Sequence, residues 1–312
     1  MIKKLIAALI SFLTFISPSV NTFFGLPQKI SDRQIDMSKF TLVWNDEFDG
    51  DEIDGTKWGP EWWVVKRKGG YWHEDMARVE DGNLIISAEY LSEPLENRYY
   101  EKWHDTINFD EYGAGYYSTI LTTRDKFEQC YGYYEVRCIL PAATGLWSAF
   151  WMMNEGVYNV DGYGDDGTEV DVFESMYYKD HWWGADAVVT GIHYDGYGDG
   201  HKNDSIGKFF MENNPYEEYN TYGVEWNEDE YIFYINGVES ARSSFGNGVS
   251  QNPEELIVSL EIPGEDIKFD KDYSTEFVVD YVRIYQQTET PEPAEPTEPA
   301  SQGGFWDSLI PV

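Results

Sequence analysis

Residues 221–237 form two apolar runs that end in a tight turn, TYGVEWNEDEYIFYING. Both runs are rich in β-branched and aromatic side chains, which favour a pleated, half-buried strand. The turn is predicted at Asn236 and Gly237. A two-residue type I′ turn needs positive φ at both central positions, and asparagine and glycine adopt positive φ most readily. The stretch therefore predicts a β-hairpin, and segments of the same kind recur along the chain.

Nine further segments of this kind are present, and no long stretch has the 3.6-residue apolar stripe of an amphipathic helix. They are LVWNDEF (42–48), NLIISAEY (83–90), AGYYSTILTT (114–123), YYEVRCIL (133–140), WSAFWMM (147–153), TEVDVFESMYY (168–178), AVVTGIHYD (187–195), LIVSLEI (256–262) and TEFVVDYVRIYQ (275–286). Eleven strands without crossover helices favour two stacked antiparallel sheets. The sequence thus predicts an all-β fold, a jelly-roll sandwich.

The N-terminal end differs from this core in composition. Residues 1–25 begin with a basic pair and continue with an apolar run from Leu5 to Ile16. That run is shorter than the roughly 20 residues of a spanning helix. It predicts a secretory signal peptide and a secreted, extracellular protein, with an uncleaved membrane anchor as the alternative. Residues 26–39 form a lead segment before the folded domain.

The folded domain is expected to span residues 40–287 as one unit. Residues 288–300 carry a Pro/Glu repeat, whose fixed φ and like charges favour an extended linker. Residues 301–312 are too few to fold alone. We interpret them as a frayed tail, with association to the cell surface as the alternative.

The charge balance excludes one class of partner. The 312 residues include 22 Lys and Arg against 57 Asp and Glu, a formal net charge of −35. A protein that binds nucleic acid needs a basic surface to neutralise phosphates, so DNA and RNA are not expected as partners. Disorder is also excluded, because aromatic residues make up 17% of the chain.

The two cysteines, Cys130 and Cys138, are predicted to stay unpaired. CYGYYEVRC (130–138) is expected to form one continuous strand, where eight positions separate the Cα atoms by roughly 26 Å; a sharp break at Gly132, which would allow a disulfide, is the alternative. A disulfide needs Cα atoms closer than about 7 Å.

The stretch GTEVDVFES (167–175) concentrates the candidate chemistry in three carboxylates. On a regular strand Glu169 and Asp171 share a face, whereas Glu174 points the other way. A bulge between Asp171 and Glu174 adds one residue and returns all three side chains to one face. The two glutamates could then approach to about 5–5.5 Å, the separation found in retaining glycosidases. An acidic strand face or a calcium site would be the alternatives.

In the glycosidase interpretation the three carboxylates have different roles. Glu169 is the ionised nucleophile, and Glu174 is the acid and base, with a pKa raised by its neighbours and by desolvation. Asp171 lies between them and holds a shared proton or hydrogen bond. Such a cluster titrates as a unit.

EVDVFE (169–174) also matches the E-x-D-x-x-E signature of glycoside hydrolase family 16, in the form that resembles the laminarinase branch. Ordered matches extend over nearly the whole core, at residues 42–58, 81–88, 127–153, 222–238 and 279–286. The resemblance implies a β-jelly roll with an open substrate cleft on its concave sheet. It implies the nucleophile at Glu169, the assisting carboxylate at Asp171 and the acid/base at Glu174.

The resemblance further implies aromatic side chains that bind sugar rings. Trp147 matches a tryptophan next to the scissile bond, and Trp226 matches one that stacks on substrate. Trp151 should share the face of Trp147. His193 occupies the position of a cleft histidine, although a structural imidazole is an equal alternative. Trp183 is a candidate for the cleft wall.

Many relatives of this kind hold a structural calcium ion away from the catalytic site. The matching positions are Glu47, Gly82 through its carbonyl, and Asp280, and oxygen ligands suit this cation. Catalysis itself is expected to need no cofactor.

The expected activity is that of a secreted retaining endo-glycosidase that cuts internal β-1,3 or mixed β-1,3/1,4 linkages. The acidic surface would repel a sulfated chain, so a neutral β-glucan is favoured as the partner of a monomeric enzyme. Agarose, porphyran, β-galactan and xyloglucan remain alternatives, because Ser118-Thr119-Ile120 stands where laminarinases often carry an arginine and loops decide specificity. Transglycosylation and a non-catalytic carbohydrate-binding jelly roll are further alternatives.

Overall fold

The protein is represented by a computed structural model. The structure describes residues 32–59, 66–96, 112–143, 146–176, 187–210, 214–262 and 274–288. The predicted signal peptide, the tail, Trp183 and nearly all of the predicted linker lie outside these ranges. No helix among the described residues is long and apolar enough to cross a membrane.

The described residues form seventeen strands and three short 3₁₀ helices. The strands are β1 (Phe40–Asp46), β2 (Lys66–Arg67), β3 (Gly70–Trp72), β4 (Ala77–Glu80), β5 (Asn83–Leu91), β6 (Gly115–Ser118), β7 (Ile120–Thr122), β8 (Gly132–Ile139), β9 (Trp147–Met153), β10 (Glu169–Met176), β11 (Ala187–Tyr194), β12 (Lys202–Phe210), β13 (Asn220–Trp226), β14 (Tyr231–Ile235), β15 (Val238–Ser243), β16 (Glu255–Glu261) and β17 (Ser274–Gln287). The 3₁₀ helices are Met37–Lys39, Glu74–Met76 and Glu155–Tyr158.

These strands build two sheets, as predicted. The large sheet has eleven strands, ordered β15-β14-β13-β8-β17-β5-β6-β3-β2, with β1 paired to β17 and β4 to β5. The small sheet has six strands, ordered β12-β11-β10-β9-β16-β7. The described strand pairs are antiparallel except for β3 and β6, which run parallel.

The core lies between the two sheets. Phe173 of the small sheet contacts Tyr222 of the large sheet, with ring centroids 4.4 Å apart, and lies 6.2 Å from the ring of Phe277. Val170 and Val172 are buried in the same cluster. One face of the small sheet is therefore packed on the large sheet, and its other face carries the partly exposed polar side chains described below.

The predicted hairpin is confirmed. β14 and β15 are joined at Asn236 and Gly237, with φ of 51° and 72°. Cys130 and Cys138 are both free, as expected, although the strand is not continuous between them: β8 begins at Gly132, after a positive φ at Tyr131. Part of the lead segment joins the large sheet, since Ile35 N–H donates to the Gly237 carbonyl at 2.9 Å.

Strand β12 was not predicted. Its sequence, KNDSIGKFF, begins with four polar residues and contains Gly207, so its β-branched and aromatic residues, Ile206, Phe209 and Phe210, lie only in its second half. It pairs with β11 alone, at the edge of the small sheet. Polar residues are typical of edge strands, which need no second buried neighbour.

Candidate active site

The catalytic strand β10 has the predicted bulge. Its pairing with β9 aligns Asp171 with Trp151 and Phe173 with Phe150, which leaves Val172 as the extra residue. Glu169, Asp171 and Glu174 consequently leave the strand on the outer face, while Val170, Val172 and Phe173 enter the core.

Glu174 is half-buried and accepts a hydrogen bond from Trp147. The distance from the indole Nε1 to Oε1 of Glu174 is 2.8 Å. Burial raises the pKa of Glu174 to about 8, with further contributions from the negative charges of Asp171 and Glu169, while the Trp147 hydrogen bond opposes the shift. The carboxyl group is therefore protonated at neutral pH and able to act as an acid.

Glu169 is also half-buried, but it has partners that favour its ionised form. Burial raises its pKa, and a hydrogen bond from the Tyr197 hydroxyl to Oε2 and the nearby His193 act in the opposite direction. The Tyr197 hydrogen bond and the charge of a protonated His193 both stabilise a carboxylate, which is the form a nucleophile needs.

Asp171 is the most enclosed of the three, with 4% of its surface exposed. Burial is the main reason that its pKa lies well above the ordinary value, and the charges of Glu169 and Glu261 add to it. His193 Nε2 lies 3.2 Å from its Oδ2. A raised pKa favours the protonated form of Asp171, and a neutral neighbour favours the ionised form of Glu169.

Gly191 provides the space that Asp171 occupies. It lies opposite Asp171 on β11, and a Cβ at this position would be 3.0 Å from Oδ2 of Asp171 and 3.4 Å from Nε2 of His193. An alanine here would require the Asp171 carboxyl group to shift by a few tenths of an ångström.

His193 is held on its other side by a second histidine. Its Nδ1 lies 2.9 Å from Nε2 of His201, and the two rings stack with centroids 5.1 Å apart. His193 therefore bridges Asp171 and His201.

A basic pair lies at the other end of the site. The Lys68 ammonium is 3.3 Å from the ring centroid of Trp147, a cation–π contact. Lys68 and Arg67 both form ion pairs with Glu261 of β16. One face of Trp147 is thus covered by a cation, and the indole is held between Lys68 and Glu174.

The structure brings Trp147, Trp151 and His193 to the outer face with the carboxylates. Trp151 is half-buried, and its Nε1 donates to Ser259 Oγ at 3.1 Å. These three side chains can line a sugar-binding surface beside the carboxylates.

The prediction for Trp226 is wrong. Trp226 lies on β13 in the large sheet, is 0% exposed, and its Nε1 donates to the Ser250 carbonyl at 3.0 Å. Its ring packs against Tyr131 in the core, with centroids 5.3 Å apart. The indole cannot reach a substrate on the outer face of the small sheet.

The proposed calcium ligands do not fit the ion in the arrangement seen here. Arg283 binds both oxygens of Glu47, with its Nε and Nη2 each 2.8 Å from an oxygen, and Arg137 binds Asp280. A cation between Glu47, Asp280 and the carbonyl of Gly82 would have to displace two guanidinium groups. We therefore assign Glu47 and Asp280 to ion pairs that hold β17 to its neighbours.

One group of possible metal ligands occurs among the described residues. Glu169, Asp171 and His193 each place a ligand atom within 4.8 Å of the others. Because these groups already bind one another and Tyr197, we assign them to acid–base chemistry.

Sequence reasoning missed four residues of the site: Tyr197, His201, Gly191 and Lys68. Tyr197 and His201 belong to the glycine-rich segment DGYGDGH (195–201), which lacks the periodicity of a strand. A tyrosine and a histidine in a glycine-rich segment soon after the catalytic strand are a usable signal, since such loops often carry functional groups.

Known proteins resemble this chain in sequence. A sequence model of the GH16 domain of beta-porphyranases A–D matches residues 42–287. A beta-glucanase of Rhodothermus marinus is 27% identical over 282 residues, which cover 83% of this chain and 90% of that protein. The glucan endo-1,3-beta-glucosidase A1 of Niallia circulans is 27% identical over 277 residues, 79% of this chain but 38% of the longer relative.

A solved structure shows the same fold. The catalytic domain of an endo-1,3-beta-glucanase (laminarinase) from Thermotoga petrophila superposes with a TM-score of 0.60 at 26% identity, covering 80% of this chain and 99% of that domain. The family match spans most of the chain and includes the catalytic strand. The protein belongs to glycoside hydrolase family 16, a family of glycosidases.

Proposed function

We propose that the protein is a secreted retaining endo-glycosidase that cuts internal β-1,3 or mixed β-1,3/1,4 linkages of a neutral β-glucan. The observation that carries the proposal is the bulge in β10, which places Glu169, Asp171 and Glu174 on one face. A carbohydrate-binding protein without catalytic activity would have no use for three carboxylates brought together in this way.

The first step forms a glycosyl-enzyme ester. Glu169 attacks the anomeric carbon, and the bond from that carbon to the bridging oxygen breaks. Glu174 gives its proton to the departing oxygen, so the leaving sugar is released as an alcohol. A pKa of about 8 keeps this proton on Glu174 at neutral pH.

The second step returns the enzyme to its starting state. Glu174, now a carboxylate, takes a proton from water as the water oxygen attacks the anomeric carbon. The ester bond to Glu169 breaks, and Glu169 leaves as a carboxylate. Both steps invert the configuration at the anomeric carbon, so the product has the same configuration as the substrate.

The substrate class rests on the relatives and on charge. Two of the relatives are named for activity on β-glucans, a beta-glucanase and a glucan endo-1,3-beta-glucosidase. A net charge of −35 disfavours the approach of an anionic chain, since like charges slow encounter. Half-exposed Trp147 and Trp151 offer apolar ring faces that suit the C–H faces of glucose units.

A sulfated galactan such as porphyran is the second candidate. The matching family model describes porphyranases, and two cations lie near the site: Lys68 over the ring of Trp147 and Arg67 over the ring of Trp72. Both cations are already paired with Glu261, which lowers their attraction for a sulfate group. The β-glucan remains the favoured substrate for this reason.

Release of reducing sugar from laminarin, mixed-linkage β-glucan, xyloglucan, agarose and porphyran tests both candidates. We expect hydrolysis of the first two by the wild type, and a loss of about 10²–10⁴-fold in Glu174→Gln. Glu169→Gln should lose at least as much, because it removes the nucleophile. Undiminished hydrolysis by either variant would exclude the mechanism, and cleavage of porphyran alone would establish the second candidate.

Product stereochemistry is an independent test. NMR of the first product should show the β-anomer before mutarotation, and an initial α-anomer would exclude the double displacement.

A further inference from the structure

The loop Asp195–His201 contacts Glu169 directly through Tyr197, and it reaches Asp171 through His193 of β11. We propose that this loop is a positioning element of the active site: Tyr197 holds Glu169 directly, and His201 holds Asp171 through His193. The proposal rests on the glycosidase function and adds residues that the catalytic strand itself does not contain.

Tyr197 makes the direct contact. Its hydroxyl donates to Oε2 of Glu169 although nearly half of the tyrosine, 48%, is exposed. The ring is fixed by Tyr158, with centroids 5.8 Å apart, and by His201, at 5.5 Å. The hydroxyl is thus aimed at one oxygen of the nucleophile and leaves the other oxygen for attack.

This bond has a use in both steps of the reaction. When the second oxygen of Glu169 forms the ester, Oε2 becomes the carbonyl oxygen and still accepts from Tyr197. When water breaks the ester, the departing carboxylate regains its charge and the same donor stabilises it. Tyr197 therefore fixes the orientation of Glu169 throughout the cycle.

His201 acts on Asp171 indirectly, through His193. Its Nε2 lies 2.9 Å from Nδ1 of His193, whose Nε2 lies 3.2 Å from Asp171. When His193 donates from Nε2 to Asp171, its Nδ1 can accept from the Nε2–H of His201, so the His201 N–H fixes which nitrogen faces the carboxyl group. Burial and the neighbouring His193 lower the pKa of His201, which favours the neutral imidazole that this arrangement needs.

The loop is itself anchored by a second loop. The buried carboxylate of Asp195 accepts from the backbone N–H groups of Asp161 and Gly162, at 3.1 and 3.0 Å. The N–H of Gly196 donates to the Val157 carbonyl at 2.6 Å. Asp195 has φ of 62°, a left-handed conformation that these bonds maintain. The position of Tyr197 is therefore fixed by the fold.

Several other groups act on the pKa of Glu169, and the test must separate them from Tyr197. They are Asp171 of its own strand, His193 of β11, Glu261 of β16, Arg67 of β2 and Tyr158 of the 3₁₀ helix before β10. Removing only the Tyr197 hydroxyl leaves all of these unchanged.

The test compares Tyr197→Phe with Tyr163→Phe. Tyr163 lies on the anchoring loop, is 52% exposed, and is not the hydrogen-bond partner of Glu169. Carboxyl ¹³C NMR titration of glutamate-labelled protein, with Glu169→Gln to assign the signal, needs no substrate. In Tyr197→Phe the Glu169 transition should move upward by about one pH unit, as expected for the loss of a hydrogen bond to a charged group. Tyr163→Phe should match the wild type.

Kinetics supply the second measurement. Tyr197→Phe should lower kcat about tenfold or more with little change in KM, and should move the acid limb of the pH profile upward. His201→Ala should lower kcat about fivefold, and His201→Gln, which keeps a donor, should recover part of it. Lower KM with undiminished kcat in Tyr197→Phe would mean that the tyrosine occupies substrate space, and would overturn the proposal.

The outcomes separate this proposal from the proposed function. If the wild type cuts no polysaccharide, the function fails whatever the titration shows. If the wild type is active but the Glu169 transition is the same in Tyr197→Phe and Tyr163→Phe, the positioning role fails and the glycosidase function stands.

Discussion

The indole Nε1 of Trp147 lies 2.8 Å from Oε1 of Glu174, so a tryptophan expected to line the sugar site also donates a hydrogen bond to the proposed acid. A donor favours the carboxylate form of Glu174. Burial and two neighbouring carboxylates favour the protonated form, and they prevail, since the pKa of Glu174 is about 8.

Trp147→Phe should therefore raise the pKa of Glu174 further. We expect the basic limb of kcat/KM to move to higher pH, and the plateau of kcat to fall about tenfold, because the bond to the carboxylate formed in the first step is lost. The measurement is the pH dependence of kcat and kcat/KM. Trp151→Phe is the matched control, since its N–H donates to Ser259. A basic limb that stays in place in Trp147→Phe would contradict this assignment.

Glu174→Gln should change the pH dependence of stability. The pKa of Glu174 is about 8 in the folded state, and about 4.3 is usual for an unfolded glutamate. The folded state therefore binds more protons between these values, and this group lowers stability as the pH rises from about 4 to about 8. The Tm of the variant relative to wild type should increase across that window. Thermal unfolding at pH 5, 7 and 9 measures it, and a constant offset would show that Glu174 ionises normally.

Trp226→Phe should separate stability from substrate binding. The substitution removes the hydrogen bond to Ser250 and leaves a cavity in the core, so we expect a loss of about 1–3 kcal/mol in the free energy of unfolding. KM for polysaccharide should not change. Urea unfolding and steady-state kinetics measure the two effects. An increase in KM with unchanged stability would place Trp226 at the substrate after all.

The bulge in β10 could be predicted because one extra residue is the simplest way to place all three carboxylates on the same face of the strand. Three carboxylates at positions 169, 171 and 174 share a face only if one residue is extra, and Val172 and Phe173 both point to the core as that solution requires. Strand parity is a local property, so it can be derived from a short segment.

Trp226 could not be placed in the same way. β13 is buried on both of its faces, and even the charged Glu225 is only 9% exposed. The alternation of apolar and polar side chains along this strand therefore does not distinguish the core face from a substrate face. Tyr197 and His201 lie in a segment without periodicity. Their position depends on bonds from Asp195 to residues 161 and 162, more than 30 positions away, which no local pattern reveals.

Gly191→Ala should disturb the site without unfolding the protein. The added methyl group would meet Asp171 Oδ2 at 3.0 Å and must displace the carboxyl group or His193. We expect kcat to fall about tenfold or more, because a small misplacement of a catalytic group is costly to the rate. Gly55→Ala is the control, since its Cβ would meet no atom within 4 Å. Equal activity of the two variants would show that Asp171 tolerates displacement.

Removal of calcium should leave the stability unchanged. Arg283 binds both oxygens of Glu47, and Arg137 binds Asp280, so these carboxylates are already neutralised by cations of the protein. A bound ion would stabilise the folded state in proportion to the logarithm of its concentration over its Kd. We therefore expect the same Tm in EDTA and in millimolar CaCl₂, measured by thermal unfolding at constant ionic strength. Arg283→Gln should lower the Tm slightly, because a partly exposed ion pair contributes about 0–1 kcal/mol. A Tm that rises with calcium would mean that the ion displaces both arginines.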